Sequence, residues 1–375
     1  MGILRFILAT SVVYGHSGDF LGFPLIPGDT AVQCFYAISG FYMALVLNEK
    51  YRPESSTYFM FIFNRFMRLF PAYVTVLLLT LLLALVVSRV APPAELPFVS
   101  EWRSLGAVDW SSAAFLVGSQ AIMWGQDLYM FLTLKNGALA FWPDFHTASQ
   151  PLLNWLVIPQ AWTIGLEFSF YLIAPFIVRR SVPAIFLALA ASLALRLVLQ
   201  FGFGYQGDPW SYRFFLSELA VFLIGALAYR VYRSPAASNR KLFVIYGLAI
   251  VCLGTALIIN RWHGLSRVAS VFFWMAAVGA IPFLFRMTKS NMVDRYLGEL
   301  SYPIYISHFL VIWFLDAIVT FGSSAVRGNV IIAMTLIVSG VLYWLIDRPI
   351  DSWRHGRFAA KQTAMLKMDE QPIKT

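Results

Sequence analysis

Ten runs of mostly apolar residues, each about 17–20 residues long, recur along this chain and match the length of helix that crosses a bilayer core. Soluble domains carry close to a quarter charged residues, whereas this chain is 59% hydrophobic and only 13% charged. The sequence therefore predicts an all-α, polytopic transmembrane helix bundle. The expected spans are 3–20, 31–48, 69–89, 162–178, 182–200, 213–232, 242–260, 268–286, 302–320 and 329–347.

Lys and Arg predict the orientation of these spans, because cytoplasmic loops carry an excess of both residues. The apolar stretch 111–124 is short, and its crossing would reverse every later span. If it does not cross, 20 of the 28 basic residues lie inside, and if it does, only 11 lie inside. We therefore predict about ten spans, both termini in the cytoplasm, and an irregular external segment over 90–160.

The remaining composition limits the classes of protein. The net charge of +9 does not indicate a nucleic-acid partner, since the basic residues cluster between apolar spans that contact membrane lipids. Two cysteines in apolar stretches provide no disulfide framework, and no metal site is expected. We predict one membrane domain over 1–350 and a polar cytoplasmic tail over 351–375.

Two ionisable residues lie inside the first apolar run. Arg5 and His16 are eleven residues apart, so they share one face of a helix at a separation of about 16 Å. Ionisable groups within a span are costly unless they face protein or water, and they mark functional sites by default.

A second motif precedes the third span. Arg65 and Arg68 are spaced i, i+3 on one helix face, and paired guanidinium groups suit a phosphate. The same pattern is also typical of an ordinary basic flank that contacts lipid headgroups.

Further polar residues lie in the fourth, sixth and ninth spans. After Trp162, Glu167 and Tyr171 are spaced i, i+4, so the phenol can donate to a carboxylate that is either functional or a structural partner. Tyr305 precedes His308, which is either a satisfied core histidine or part of a site. Two weaker expectations are a packing notch at Ser39-Gly40-Phe41 and an ion pair between Arg213 and Glu218.

In chain order, these pieces resemble the family-three membrane acyltransferases, in their stand-alone form. The resemblance covers nearly all of residues 1–350. One departure is Asp347 in the motif Asp347-Arg348-Pro349 at the end of the last span, where the family usually has Glu. The residues that carry the resemblance are Arg5, His16, Ser39-Gly40-Phe41, Arg65, Arg68, Trp162 to Tyr171, Tyr302-Pro303-Ile304-Tyr305, His308 and Asp347-Arg348-Pro349.

The resemblance implies a multi-pass O-acetyltransferase of the bacterial inner membrane. Such an enzyme moves an acyl group, usually acetyl, from cytoplasmic acetyl-CoA to a hydroxyl of a glycan or lipid-linked sugar. Arg5, Arg65 and Arg68 would then bind the donor. Ser39, Trp162, Tyr171, Tyr305 and His308 would support the site.

His16 is the expected general base, or alternatively a transient acyl acceptor, since imidazole titrates near the operating pH. Glu167 is expected to be catalytic and to orient the imidazole, as the carboxylate does in a serine-hydrolase triad. Arg5 is expected to stabilise an oxyanion or to anchor the donor.

Two other classes stay open on the residues alone. Buried Arg, His and Glu in a helical bundle are also typical of a transporter, for example a flippase for lipid-linked sugars. The chain shows no paired inverted halves with broken helices, which weakens that alternative. A glycan-assembly partner without chemistry of its own is the third class.

Overall fold

The computed structural model describes residues 1–18, 26–51, 55–90, 95–234, 266–354 and 356. Two short strands, β1 Leu132–Lys135 and β2 Ala138–Phe141, accompany the helices. The helices are α1 Gly2–Ser17, α2 Gly28–Glu49, α3 Ser55–Val90, α4 Val99–Arg103, α5 Trp110–Ala121, α6 Trp162–Ile177, α7 Val182–Leu197, α8 Phe215–Arg233, α9 Ser266–Thr288, α10 Met292–Ile318 and α11 Ser324–Leu342.

The predicted fold class is confirmed. Within the described residues, seven helical stretches are long and apolar enough to cross a membrane, and they include α2, α3, α8 and α10. The short helices α1 and α6 have 16 residues each, or about 24 Å, against a hydrocarbon core of about 30 Å. The predicted span 242–260 lies outside the described residues.

Apolar side chains cover the outside of the bundle. On α3, Leu78, Leu82 and Leu85 are exposed, and on α7 so are Leu187 and Leu197. A soluble protein rarely exposes so much contiguous apolar surface, whereas a bilayer covers it. These faces therefore lie against lipid.

Close backbone contact joins α2 to α8 at the centre of the bundle. A methyl group added at Gly40 would lie 1.9 Å from the carbonyl oxygen of Phe222, and one at Gly225 would lie 1.8 Å from that of Ala37. Small residues at such crossings let two membrane helices pack closely. The expected packing notch is therefore confirmed at Gly40.

Helix α1 is held against α10 by hydrogen bonds to its first turn. The backbone N–H groups of Gly2 and Ile3 donate to the carboxylate of Asp294, over 2.8 and 3.0 Å. A methyl group at Gly298 would lie 2.9 Å from the Cα atom of Gly2. These contacts fix the position of α1, which carries Arg5 and His16.

The segment between α3 and α6 has more regular structure than the irregular external segment that we expected over 90–160. Its strands form an antiparallel hairpin whose turn residues, Asn136 and Gly137, have φ angles of 51° and 81°. Helix α5 has 12 residues, or about 18 Å, which is too short to span a bilayer. The Gln120 side chain donates to the Trp155 carbonyl over 3.1 Å and accepts from the Val157 N–H over 2.8 Å.

The last helix runs past the boundary predicted at residue 350. A π-helical turn at Tyr343–Asp347 follows α11, and helical structure continues through Arg354. Arg354 is buried and donates to Asp351 over 2.7 Å and to the carbonyl of Asn64 over 2.8 Å. Asp351 and Arg354, the first and fourth residues of the predicted tail, therefore hold this end of the chain against α3.

Candidate functional site

Two cavities lie end to end inside the bundle. One, of about 450 Å³, is lined by Arg5, and we call it the Arg5 cavity. The other, of about 910 Å³, is lined by His16, and we call it the His16 cavity. Val32 and Tyr305 line both cavities, so these two residues form the wall between them.

Helix α1 contributes one ionisable side chain to each cavity. Arg5 and His16 both face the interior of the bundle, whereas Ile3 and Ile7 are exposed on its outer surface. The eleven-residue spacing separates Arg5 from His16 by about 16 Å along the helix. Arg5 therefore cannot stabilise an oxyanion beside His16, and of its two expected roles only donor anchoring fits the geometry.

A second histidine stacks on His16. The rings of His16 and His308 are 5.4 Å apart at 22°, and Phe309 packs 4.8 Å from the His16 ring. His308 is fully buried, and its Nδ1 donates to the Tyr305 carbonyl over 2.6 Å. Its Nε2 has no hydrogen-bond partner in the described part of the chain. His308 is therefore a half-satisfied core histidine that also contacts the candidate base.

Glu167 lines the Arg5 cavity and not the His16 cavity. Its Oε1 accepts a hydrogen bond from the Ser39 hydroxyl over 2.8 Å and another from the Tyr171 hydroxyl. The expected i, i+4 contact with Tyr171 is therefore confirmed. The expected orientation of His16 by Glu167 is not found, because α6 places Glu167 on the far side of the wall.

Basic side chains dominate the charged lining of the Arg5 cavity. Among its described lining residues, seven side chains are basic and four are acidic. The basic residues are Arg5, Lys50, Arg65, Arg68, Lys289, Arg295 and Arg354, and the acidic residues are Glu167, Asp294, Glu299 and Asp351.

The two arginines of the predicted pair differ in how far their charge is balanced. Arg68 forms a salt bridge with Asp351 over 2.6 Å. Arg65 makes no ion pair with a described residue, its Nε is buried without a partner, and its guanidinium lies 5.8 Å from the ring centre of Phe61. An anionic ligand in this cavity therefore meets Arg65 as a charge that no described acidic residue pairs with.

Aromatic rings and paired charges line the His16 cavity. The guanidinium of Arg213 lies 4.3 Å from the ring centre of Trp162, and Tyr212 meets the same ring edge-on at 5.2 Å. Arg213 is bound to Asp208 over 2.7 Å. Trp162, one of the expected supporting residues, thus lines the His16 cavity and not the Arg5 cavity that contains Glu167.

The expected ion pair between Arg213 and Glu218 is wrong. Glu218 is fully buried and pairs with Arg196 over 2.8 Å, while the Gln33 side chain donates to it over 3.1 Å. Arg213 lies before α8 begins at Phe215, so helical spacing does not relate it to Glu218. Arg196 and Gln33 are polar residues within predicted spans, and this feature of the sequence could have indicated that they partner Glu218.

A buried carboxyl group in the external segment packs behind the start of α6. A methyl group at Gly165 would lie 2.7 Å from Oδ1 of Asp127, and this oxygen has no hydrogen-bond partner among the described residues. Burial raises the pKa of Asp127 to about 6. Asp127 therefore couples the packing of α6 to protonation.

Comparison with known proteins identifies the family. The model of an acyltransferase domain, acyltransferase family 3, matches residues 1–344. An uncharacterised protein of Aquifex aeolicus is 24% identical over 206 residues, which are 53% of this chain and 88% of that protein. No solved structure matches. The chain therefore belongs to acyltransferase family 3 and is a multi-pass membrane acyltransferase.

Proposed function

We propose that this acyltransferase moves an acyl group, with acetyl as the first choice, from acyl-CoA in the Arg5 cavity to a hydroxyl of a glycan or glycolipid in the His16 cavity. The observation that carries the proposal is that two chemically different cavities are separated by one wall, at Val32 and Tyr305. One has an excess of basic side chains, and the other holds an imidazole. A membrane acyltransferase needs both a donor site and an acceptor site.

The charge of the Arg5 cavity supports a phosphate-rich donor. Coenzyme A carries a pyrophosphate and a 3′-phosphate, which guanidinium groups bind with strong, charge-assisted hydrogen bonds. Arg65 is the residue best placed for this role because no described acid neutralises it. Arg5 then anchors the donor deeper in the cavity.

The lining of the His16 cavity supports a polyhydroxylated acceptor. Trp162 and Tyr212 provide aromatic surface, while Asn154, Asp208 and Ser211 provide hydrogen-bonding groups. Such sites combine apolar surface with a few polar groups that fix the orientation of the ligand.

The distribution of basic residues supports an orientation in which the Arg5 cavity opens to the cytoplasm and the His16 cavity to the opposite side. Acyl-CoA is a cytoplasmic metabolite, whereas surface glycans lie beyond the membrane. We therefore place the protein in the bacterial inner membrane, with the acyl group moving outward.

In the proposed mechanism, His16 takes the proton of the acceptor hydroxyl while that oxygen attacks the thioester carbonyl. The carbon–sulfur bond then breaks, the coenzyme A thiolate leaves, and the imidazolium returns the proton to the thiolate. General-base catalysis of this kind contributes about 10²–10⁴-fold. Stacking on His308 and Phe309 holds the imidazole in place for this step.

The test uses inside-out membrane vesicles that enclose an acceptor glycan extract, with radiolabelled acetyl-CoA added outside. Wild type should produce alkali-labile acetyl esters, and His16→Ala should lower the rate by about 10²-fold or more while the protein stays inserted. Ile7→Ala, on the lipid-facing side of the same helix, is the matched control. Wild-type rates in His16→Ala would overturn the assignment.

A single turnover without acceptor distinguishes the two roles open to His16. A general base leaves no label on the protein. Protein-bound label that disappears in His16→Ala would instead identify an acyl-histidine intermediate.

A further inference from the structure

Four helices, α1, α2, α6 and α10, contribute residues to both cavities. On α2, Gln33 faces the His16 cavity and Ser39 faces the Arg5 cavity. On α10, Tyr302 lines only the Arg5 cavity and Phe309 only the His16 cavity. Tyr305 lies between them, one helical turn from each, and faces both cavities.

The phenol of Tyr305 is tied across the wall to the start of α6. Its hydroxyl lies 2.8 Å from the hydroxyl of Thr163 and donates to the carbonyl of Gln160 over 3.3 Å. Its ring also packs 6.3 Å from that of Phe35. The ring therefore closes the gap between α10 and α6.

Tyr305 also contacts the histidine pair through its backbone. Its carbonyl accepts the Nδ1–H of His308, whose ring stacks on His16. Any thioester that comes from the Arg5 cavity must pass the Tyr305 ring before it reaches His16. The hydroxyl hydrogen bonds and the ring contacts with Phe35 and His308 hold the side chain, and a change of its rotamer breaks them without a change of the backbone.

We propose that the ring of Tyr305 is a barrier that separates donor from acceptor until the acyl-pantetheine arm of the donor displaces it. This inference rests on the proposed function. With the ring in place, the thioester is shielded from water in the His16 cavity. That water would otherwise break the carbon–sulfur bond and yield free carboxylate and coenzyme A thiol.

Side-specific thiol labelling tests the barrier without any turnover. The reporter is Gly15→Cys in a chain without Cys34 and Cys252. Gly15 lines the His16 cavity, and a Cβ atom added there would meet no other atom within 4 Å. A slim, membrane-impermeant methanethiosulfonate is added from the side of the Arg5 cavity. The reporter should react slowly in this chain and about tenfold faster once Tyr305→Ala is added, as expected when the open state becomes more populated.

Two milder variants guard against misfolding. Tyr305→Phe and Thr163→Val each remove the hydroxyl contact while keeping the wall filled, so labelling should rise by about three- to tenfold. Tyr302→Ala, which opens only the Arg5 cavity, is the control and should not change the labelling. Equal labelling from both sides in the parent chain, or unchanged rates in all three wall variants, would overturn the proposal.

Coenzyme A release from acetyl-CoA without acceptor provides the catalytic readout. Hydrolysis should rise by about tenfold in Tyr305→Ala, while the ratio of transfer to hydrolysis falls. If labelling changes as expected but no variant releases coenzyme A, the barrier stands and the proposed donor is wrong. If hydrolysis and labelling both stay at wild-type rates, the role of Tyr305 is wrong.

Discussion

Replacement of Arg65 tests the proposed donor site most directly. Arg65 lines the Arg5 cavity without a described ion-pair partner, so Arg65→Ala removes a charge without breaking a salt bridge among the described residues. One charge-assisted hydrogen bond is worth about 2 kcal/mol, which corresponds to about 30-fold in affinity. We therefore expect coenzyme A to bind Arg65→Ala about 30-fold more weakly, with little change in thermal stability.

Arg68→Ala should behave differently because Arg68 is already paired. Its removal leaves Asp351 in the cavity with Arg354 as its remaining described basic partner. The Asp351 carboxylate, which has lost one of its two arginine partners, then repels the phosphates of the donor and holds the end of the last helix less firmly. Both the affinity and the unfolding temperature should fall.

Calorimetric titration of coenzyme A into the protein in lipid nanodiscs measures the affinity of each variant, and thermal melts of the same samples measure the unfolding temperature. Arg89→Ala, at the exposed far end of the same helix, is the control for the loss of one basic residue. Arg65→Lys should be intermediate, since it keeps the charge and loses the two-pronged geometry. An affinity of Arg65→Ala within about twofold of wild type would refute the reasoning, as would an equal loss in Arg89→Ala.

Three further predictions concern the fold and the assignment of Glu167. Gly40→Val should lower the unfolding temperature and the monodisperse fraction, whereas Gly340→Ala, which meets no atom within 4 Å, should not; equal behaviour would contradict the α2–α8 contact. Because the pKa of Asp127 is raised from 3.8 to about 6, its contribution of up to about 3 kcal/mol is complete only below the unfolded-state pKa and is lost as the pH rises through 6. Thermal melts from acidic pH, near the unfolded-state pKa, to neutral pH should therefore show a smaller loss of stability in Asp127→Asn than in wild type, and identical losses would contradict this. Glu167→Gln should lower transfer without moving the pH at which the rate is half-maximal, and a displaced pH profile would restore a link to His16.

Much of the fold could be predicted because apolar periodicity depends on local sequence alone. The expected span 162–178 corresponds to α6 at Trp162–Ile177, and the inward direction of Arg5 and His16 follows from helical spacing. The hairpin was missed although Asn136-Gly137 is a strong signal for a two-residue turn. Periodicity in the flanking residues is too short there to stand out beside long apolar runs.

Contacts between distant segments could not be predicted. The pairing of Arg68 with Asp351 joins residues 283 positions apart, and that of Glu167 with Ser39 joins residues 128 apart. A single sequence orders the motifs but not the cavity to which each belongs. The sequence alone therefore allows Glu167 to orient His16, whereas the tertiary packing places these two residues in different cavities.

The two cavities also change the electrical thickness of the membrane at this point. In the proposed orientation, with the cavities open to opposite sides of the membrane, the insulating layer shrinks from the whole hydrocarbon core to the residues around Val32 and Tyr305. A potential of 100 mV, worth about 2.3 kcal/mol per elementary charge, then falls across that thin layer. A neutral acetyl group crosses it without electrical work, whereas a succinyl group carries a carboxylate, and its passage would be coupled to the voltage of the cell.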